Sequence, residues 1–231
     1  MNKYYIILLA LLVGLLGGII QYDLTVPVFG ENGVYYHGVR GQNQIALMIN
    51  VDWGEKYIPD ILKILEENEV NATFFVTGTW AQKHPDLLRE MSEKGHEIGN
   101  HGYSHKHIKN LSNQQIINLI KKNEQIINEI TGQKTQLFTP PYGELDNRIS
   151  SIVQSINYKT VMWTADTIDW QRPSPQIIIQ RAVNKIEDGG ILLMHPTHPS
   201  LKALPQILNK LKNRGFEFKK ISPLISYNED V

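Results

Sequence analysis

From residue 44 onward, two kinds of segment alternate along the chain. The first kind is short, apolar and rich in β-branched and aromatic residues, which is typical of buried strands. The second kind carries apolar residues at every third or fourth position, which is typical of amphipathic helices. The pattern predicts strands over residues 44–51, 71–78, 96–101, 135–140, 159–165, 190–197 and 216–221, and helices over residues 58–69, 85–95, 112–132, 148–156, 175–189 and 201–215.

This alternation predicts a parallel sheet, because each helix carries the chain back to the edge where the next strand begins. Seven such strands favour a closed or nearly closed α/β barrel over an open sheet. Glycines at 132 and 215 follow two of the helices, where a left-handed C-cap is expected. In a barrel of this kind the chemistry lies at the carboxyl ends of the strands, so candidate residues are expected there.

The amino terminus has a different pattern. Lys3 precedes an uncharged run from Tyr4 to Ile20, at the short end of the ~17–25 residues that span a membrane. The run exceeds the ~7–15 residues of a signal-peptide core, and no Ala-x-Ala cleavage site follows it. We interpret residues 1–22 as a signal anchor with the domain outside the cytoplasm, or alternatively as a signal peptide of a secreted protein. Residues 23–42 are then a linker and edge segment, and residues 43–231 one domain.

Composition narrows the possible chemistry. The 231 residues are 42% hydrophobic, which suffices for one domain with a sizeable core. Lys+Arg and Asp+Glu both number 23, and no basic block is evident, which argues against a nucleic-acid partner. Cysteine is absent, so disulfides, thiolate metal sites and cysteine nucleophiles are excluded. Any metal ion must therefore bind histidine and carboxylate. The sequence leaves the oligomeric state open.

Polar and aromatic residues follow several predicted strands, at the edge that a barrel would use as its active face. Two imidazoles four residues apart, His101 and His105, can bind one ion if the segment makes a turn. A carboxylate from another strand would complete a His/His/Asp set with positions open for water. The candidates at the strand ends are Asp52, His101, His105, Pro141, Tyr142, Asp166, Asp169, Trp170, Leu193, His195 and His198.

The order of these motifs carries a resemblance. A strand that ends in Asp is followed by ATFF, GHEIGNHGYSH, PPYG, DTIDW and LLMH. This order resembles that of the polysaccharide deacetylases with a NodB homology domain, carbohydrate esterases of the family 4 type. These enzymes remove N-acetyl groups from chitin-like and peptidoglycan glycans. The resemblance runs from about Gln44 to the end of the chain and implies a distorted (β/α) barrel that acts on N-acetylated cell-wall glycan.

The resemblance also implies a role for each candidate. A divalent metal ion, which we expect to be zinc, would be held by an Asp together with His101 and His105. Another Asp would be the general base, His195 would protonate the leaving amine, and Asp169 would orient His195. The implied substrate contacts are Pro141 and Tyr142 of PPYG, whose tyrosine would supply a backbone donor for the oxyanion, Leu193, which would line the acetyl pocket, and Trp170, which would wall the groove.

The first motif departs from the family pattern. The family has Thr-Phe-Asp-Asp-Gly, with the first Asp as base and the second as metal ligand, whereas INVDWG has one carboxylate, Asp52. Aligned without a gap to the next helix, Asn50 takes the place of the base and Val51 that of the ligand. Aligned on Gly54, Asp52 takes the place of the base and Trp53 that of the ligand. Strand parity directs Asn50 and Asp52 to the same side of the sheet.

A second departure is Thr139, which stands where the family usually has an Arg that pairs with the base carboxylate. Two functions therefore remain open. In the first, the protein is a metal-dependent deacetylase in which Asp52 is the base or a metal ligand. In the second, it is a deacetylase-like protein that binds glycan without turning it over. Trp53 is expected to wall the site or fill the core, and Asp166 either to contact the site or to cap the loop after its strand.

Overall fold

All strands of residues 33–226, the part of the chain that this computed structural model describes, lie in one sheet. The strands are β1 (Val34–Tyr35), β2 (Gln44–Val51), β3 (Thr73–Val76), β4 (Glu97–Asn100), β5 (Leu137–Phe138), β6 (Lys159–Val161), β7 (Ala165–Asp166), β8 (Ile191–Met194) and β9 (Glu217–Lys219). Eight of them pair in the order β1-β6-β5-β4-β3-β2-β8-β7, and β9 also pairs with β2. Every pairing between these strands is parallel, which confirms the predicted α/β class.

The sheet is curled, because one short segment joins its two ends. β6 pairs with β5 and β1, whereas β7 pairs with β8 at the far end of the order. Four residue steps from Val161 to Ala165 can span at most about 14 Å, so the two edges lie close together. The pairings between described strands leave β1 and β7 unpaired with each other, so the barrel is open at this seam.

This seam corrects one prediction. The sequence predicts a single strand over residues 159–165, but the structure has two short strands there. The intervening residues hydrogen-bond to both edges: the Met162 N–H donates to the Tyr35 carbonyl at 2.8 Å, and the Thr164 N–H to the Ile191 carbonyl at 3.1 Å. Tertiary contacts therefore divide an apolar run that the local pattern shows as continuous.

Within the described part of the chain, eight α-helices surround the sheet, and all but the last of them cover its outer face. They are α1 (Ile58–Glu67), α2 (Gly78–Lys83), α3 (Pro85–Glu93), α4 (Asn113–Thr131), α5 (Asn147–Ser155), α6 (Pro175–Lys185), α7 (His198–Asn213) and α8 (Ile221–Ile225). Six of them match the predicted helices, and the pattern missed the short helices α2 and α8. α4 begins with a capping box between Ser112 and Gln115 and ends at Gly132 with φ 72°, as predicted for a left-handed C-cap.

The alternation along β2 divides the core into two layers. Leu47, Ile49 and Val51 pack outward among residues of the surrounding helices. Ala46 and Met48 point inward, where α8 fills the amino-terminal end of the barrel. The carboxyl end of the barrel is left for polar residues. The predicted membrane segment, 4–20, lies outside the described residues, and none of the helices described is long and apolar enough to cross a membrane.

Candidate active site

A cavity of about 520 Å³ opens at the carboxyl ends of the strands. It brings together candidates from five separate parts of the sequence and adds one tryptophan, Trp163, that the motifs did not identify. The cavity is lined by Asn50, Asp52, Trp53, His101, His105, Tyr142, Gly143, Trp163, Asp166, Trp170, Leu193 and His195.

The end of β2 presents Asn50 and Asp52 to the cavity and turns Val51 away from it. Asn50 is 6% exposed, and its Oδ1 has no hydrogen-bond partner among the described residues. Val51 is fully buried in the helix-facing core. Asp52 is half-buried and accepts a hydrogen bond from the Thr77 hydroxyl at 2.7 Å. Of the positions aligned with the family's two aspartates, Val51 therefore lies outside the cavity, and Asp52 alone supplies a carboxylate.

His101 and His105 follow β4 and lie side by side, with ring centroids 5.1 Å apart. The Nδ1–H of the buried His101 donates to the Thr139 carbonyl at 2.9 Å, which leaves its Nε2 free. Burial, reinforced by His105, lowers the pKa of His101 to about 3. Burial also lowers the pKa of His105, against the opposing effect of the Asp52 carboxylate. Both imidazoles are therefore neutral near pH 7, which is the form that binds metal.

These donors fit a divalent metal ion in part. The hydrogen bond from His101 to a backbone carbonyl is the outer contact that metal-binding histidines usually make. Asp52 is near enough to influence the pKa of His105. Nevertheless, residues 33–226 contain no group of three or more His, Cys, Asp or Glu side chains arranged to hold a metal ion. The assignment of Asp52, His101 and His105 as a ligand set stays a prediction.

Asp169 and His195 form a hydrogen-bonded pair, in which the partly buried His195 lines the cavity and Asp169 lies behind it. Asp169 is fully buried and accepts three hydrogen bonds. Its Oδ1 accepts from Nδ1 of His195 at 2.8 Å, and its Oδ2 accepts from the backbone N–H of His195 at 2.7 Å and from the Ser200 hydroxyl at 2.6 Å. The carboxylate thus fixes the ring and its proton at Nδ1, so that Nε2 is the nitrogen left for a ligand. The indole of Trp53 lies parallel to the His195 ring at 6.1 Å between centroids.

Aromatic side chains form the walls of the cavity. Tyr142 is 57% exposed and Trp170 is 53% exposed, so both can contact a ligand over much of their rings. Tyr142 has a φ of 59°, unusual for a bulky residue, and its ring stacks on His107 at 4.0 Å between centroids. Pro141 is buried and does not line the cavity.

The structure also locates Asp166, Leu193, Thr139 and His198 relative to the cavity. Asp166 lines the cavity and also caps its own loop, because its Oδ1 accepts from the Ile168 N–H at 2.8 Å. Leu193 is 2% exposed and lines the cavity from the inner layer of the core. Thr139 contributes its carbonyl to His101, while its hydroxyl has no partner among the described residues. His198 lies outside this cavity.

The comparisons with known proteins agree with this geometry. Residues 37–161 match the family model described as polysaccharide deacetylase. The uncharacterized protein YlxY of Bacillus subtilis is 35% identical over 82% of this chain and 60% of its own length. A peptidoglycan-N-acetylglucosamine deacetylase of Bacillus cereus is 30% identical over 84% of this chain and 73% of its own. The chain thus spans less than two thirds of YlxY.

Solved structures extend the comparison. The wild-type BA3943 protein of Bacillus anthracis, described as a CE4 family pseudoenzyme, is 37% identical with a TM-score of 0.82 over 85% of this chain and 70% of its own. A mutant of that pseudoenzyme, described as having restored enzymatic activity, matches equally well at 36% identity and TM-score 0.82 over 85% of this chain and 72% of its own. On the family match, the shared fold and the motif order, the chain belongs to the polysaccharide deacetylase family.

Proposed function

We propose that this protein binds N-acetylated cell-wall glycan in the cavity and that its capacity to remove the acetyl groups is impaired. One observation carries the proposal. Deacetylation in this family requires one carboxylate as base and a second as metal ligand, and the end of β2 presents one carboxylate and one amide, Asp52 and Asn50. An amide cannot accept a proton usefully at neutral pH. Asp52 cannot fill both roles.

Glycan binding is supported by the remaining lining. The planar faces of exposed tyrosine and tryptophan suit the apolar faces of sugar rings, and polar tips nearby can meet hydroxyl groups. Tyr142, Trp170 and Trp53 supply three such rings around one cavity. The neighbouring BA3943 structures support impairment, because a protein of this fold is described as a pseudoenzyme and a mutant of it as having restored activity.

A second function has its own support. The His195–Asp169 pair and the neutral imidazoles His101 and His105 are what a metal-dependent deacetylase requires on the acid and metal sides. A divalent metal, held by the two imidazoles with Asp52 or a water as the third ligand, would polarise the acetamido carbonyl. His195 would bind or protonate the amine through Nε2. In this alternative Asp52 is either base or ligand, and the protein releases acetate.

A single experiment separates the two functions. The full chain, supplied with zinc, is mixed with a soluble N-acetylglucosamine oligomer, and binding is followed by tryptophan fluorescence while released acetate is assayed. We expect binding without acetate release. Asn50→Asp should start acetate release, and the double variant Asn50→Asp/His195→Ala should stop it again, as a control for the site.

The outcomes are distinct. Acetate release by the wild type that disappears in Asp52→Asn would establish the deacetylase instead. Absence of oligomer binding by the wild type would contradict both functions. Placement of the domain outside the cytoplasm, held by the apolar amino-terminal run or secreted after its removal, is part of the same proposal, because the wall glycan lies there.

A further inference from the structure

A second cavity of about 350 Å³ adjoins the first across the indole of Trp53. Trp53 lines both cavities, so a glycan chain that contacts the indole in the first cavity can continue into the second. The second cavity is lined by Trp53, Gly54, Glu55, Lys56, Tyr57, Arg172, Thr197, His198 and Pro199. None of the roles described above uses this cavity.

The second cavity has an excess of positive charge. Lys56 and Arg172 are exposed, and neither takes part in any ion pair found among residues 33–226. The Lys56 ammonium lies 4.8 Å from the centre of the Tyr57 ring, which keeps it against the cavity wall. Glu55 is the opposing charge, so two permanent cations face one carboxylate. The carboxylates of the first cavity, Asp52 and Asp166, are absent from this lining.

The backbone that carries these cations is held in place by packing and hydrogen bonds. Gly54 has φ 86°, and a Cβ at this position would collide with the Pro196 carbonyl, so the turn packs directly on the segment after β8. The Tyr57 N–H donates to the Gly54 carbonyl at 2.9 Å. Arg172 is held at φ 56° by its N–H, which donates to the Asp169 carbonyl at 2.8 Å. Cations on preordered backbone lose less entropy when they bind an anion.

We propose that the second cavity binds the carboxylate of an acidic sugar that neighbours the N-acetylated sugar in the first cavity. Arg172 and Lys56 would contact the carboxylate, and Trp53 would stack between the two sugars. The substrate class is then a glycan whose N-acetyl sugars alternate with sugars that carry a free carboxylate, such as a peptidoglycan strand without its peptides, and not a neutral chitin-like polymer. This inference rests on the proposed glycan-binding function and assigns its specificity.

The test compares three tetrasaccharides of equal length. One alternates N-acetylglucosamine with N-acetylmuramic acid bearing free carboxylates, the second is the same compound with its carboxylates converted to amides, and the third is the neutral N-acetylglucosamine tetramer. Dissociation constants are measured by titration calorimetry on the full chain at low and high salt. We expect the free-carboxylate compound to bind about tenfold more tightly than its amide, as one charge-assisted contact provides, with the difference shrinking at high salt.

Variants assign the effect to the cavity. Lys56→Gln/Arg172→Gln should abolish the tenfold preference and leave the affinity for the neutral tetramer unchanged. Lys63→Gln/Lys202→Gln, which removes two exposed cations from α1 and α7 outside the cavity, is the matched control and should preserve the preference. Glu55→Gln should enlarge the preference, because it removes the opposing charge.

Each outcome is decisive. Equal affinity of the wild type for the acid and its amide would overturn the acidic subsite and leave glycan binding standing. A preference that survives Lys56→Gln/Arg172→Gln would also overturn it, because the recognition would lie elsewhere. If the wild type binds none of the three compounds, the proposed function itself fails, and the subsite with it.

Discussion

Replacing Asp169 by asparagine keeps the shape of the side chain and removes its charge. In the wild type the buried carboxylate accepts hydrogen bonds from the ring and backbone of His195 and from Ser200. A hydrogen bond to a charged acceptor contributes roughly 1 kcal/mol more than a neutral one, so three of them give about 3 kcal/mol. Relief of the desolvated charge offsets part of this, which leaves a loss of about 2 kcal/mol in the free energy of unfolding.

The same substitution should move a proton on His195. The amide of the variant has one acceptor and one donor end. If its oxygen keeps the contacts of Oδ2 with the His195 N–H and Ser200, its nitrogen faces Nδ1 of His195 and donates to it. The ring must then carry its proton at Nε2, so the nitrogen left for a ligand changes from acceptor to donor. A glycan amine or amide at this position would meet the wrong partner.

Two measurements check this reasoning. Urea unfolding gives the change in stability, and ¹⁵N NMR of histidine-labelled protein gives the tautomer, with His195→Ala to assign the signal among the eight histidines. Asp166→Asn is the matched control, because Asp166 caps Ile168 in the same loop without a hydrogen bond to His195. An unchanged free energy of unfolding together with a proton that stays at Nδ1 would refute the assignment of Asp169 as the residue that orients His195.

Three further outcomes are expected. Burial lowers the pKa of His96 to about 4. As the pH falls, the unfolded chain therefore protonates His96 before the folded chain does. The stability contributed by the neutral His96 is complete above pH 6.5 and is lost toward pH 4. Urea unfolding should show that the loss on acidification to pH 4 is about 3 kcal/mol smaller in His96→Asn than in the wild type, because the buried His101 contributes to the loss in both. His101→Ala/His105→Ala should abolish stoichiometric metal uptake, measured by elemental analysis, with the circular dichroism spectrum unchanged; full metal content would contradict the assignment. The full chain should sediment with membranes and be cleaved by external protease, whereas a soluble species that begins near residue 19 would show a removed signal peptide.

Hydrophobic patterns with a period of two or of 3.6 residues predict those strands and helices whose own apolar side chains are buried in the core. β2 occupies residues 44–51 as predicted, because its alternate side chains enter two separate core layers. The predicted strand over 135–140 shrinks to Leu137–Phe138. Its end is determined by the carbonyl of Thr139, which leaves the ladder to accept from His101. Such contacts join residues far apart in sequence, and no local pattern contains them.

The candidate site, too, was predicted from the sequence only in part. Motif order identified the residues that line the first cavity from HGYSH, DTIDW and LLMH, because these motifs fix both residue type and place after a strand. Trp163 was missed, since it lies in an apolar run that crosses the seam of the barrel. The hydrogen bond from Thr77 to Asp52 and the stacking of Trp53 on His195 were missed as well, because each depends on neighbouring loops.

The His195–Asp169 pair and the positions of Asn50 and Thr139 differ in what they contribute to the fold. The presence of a residue that stabilises the fold says little about catalysis. Asp169 joins three elements through its hydrogen bonds: its own turn, the end of β8 and the first turn of α7. It would be retained for stability even in a protein that does not hydrolyse anything, so the presence of the His195–Asp169 pair is weak support for catalysis.

Asn50 and Thr139 carry no comparable structural role. The Oδ1 of Asn50 and the hydroxyl of Thr139 are buried without a partner among residues 33–226. Loss of a base carboxylate and its arginine at these positions would cost the fold little, so only selection for hydrolysis would retain them. Their absence is therefore the more informative half of the site, and it favours a glycan-binding protein whose acid side persists because the barrel needs it.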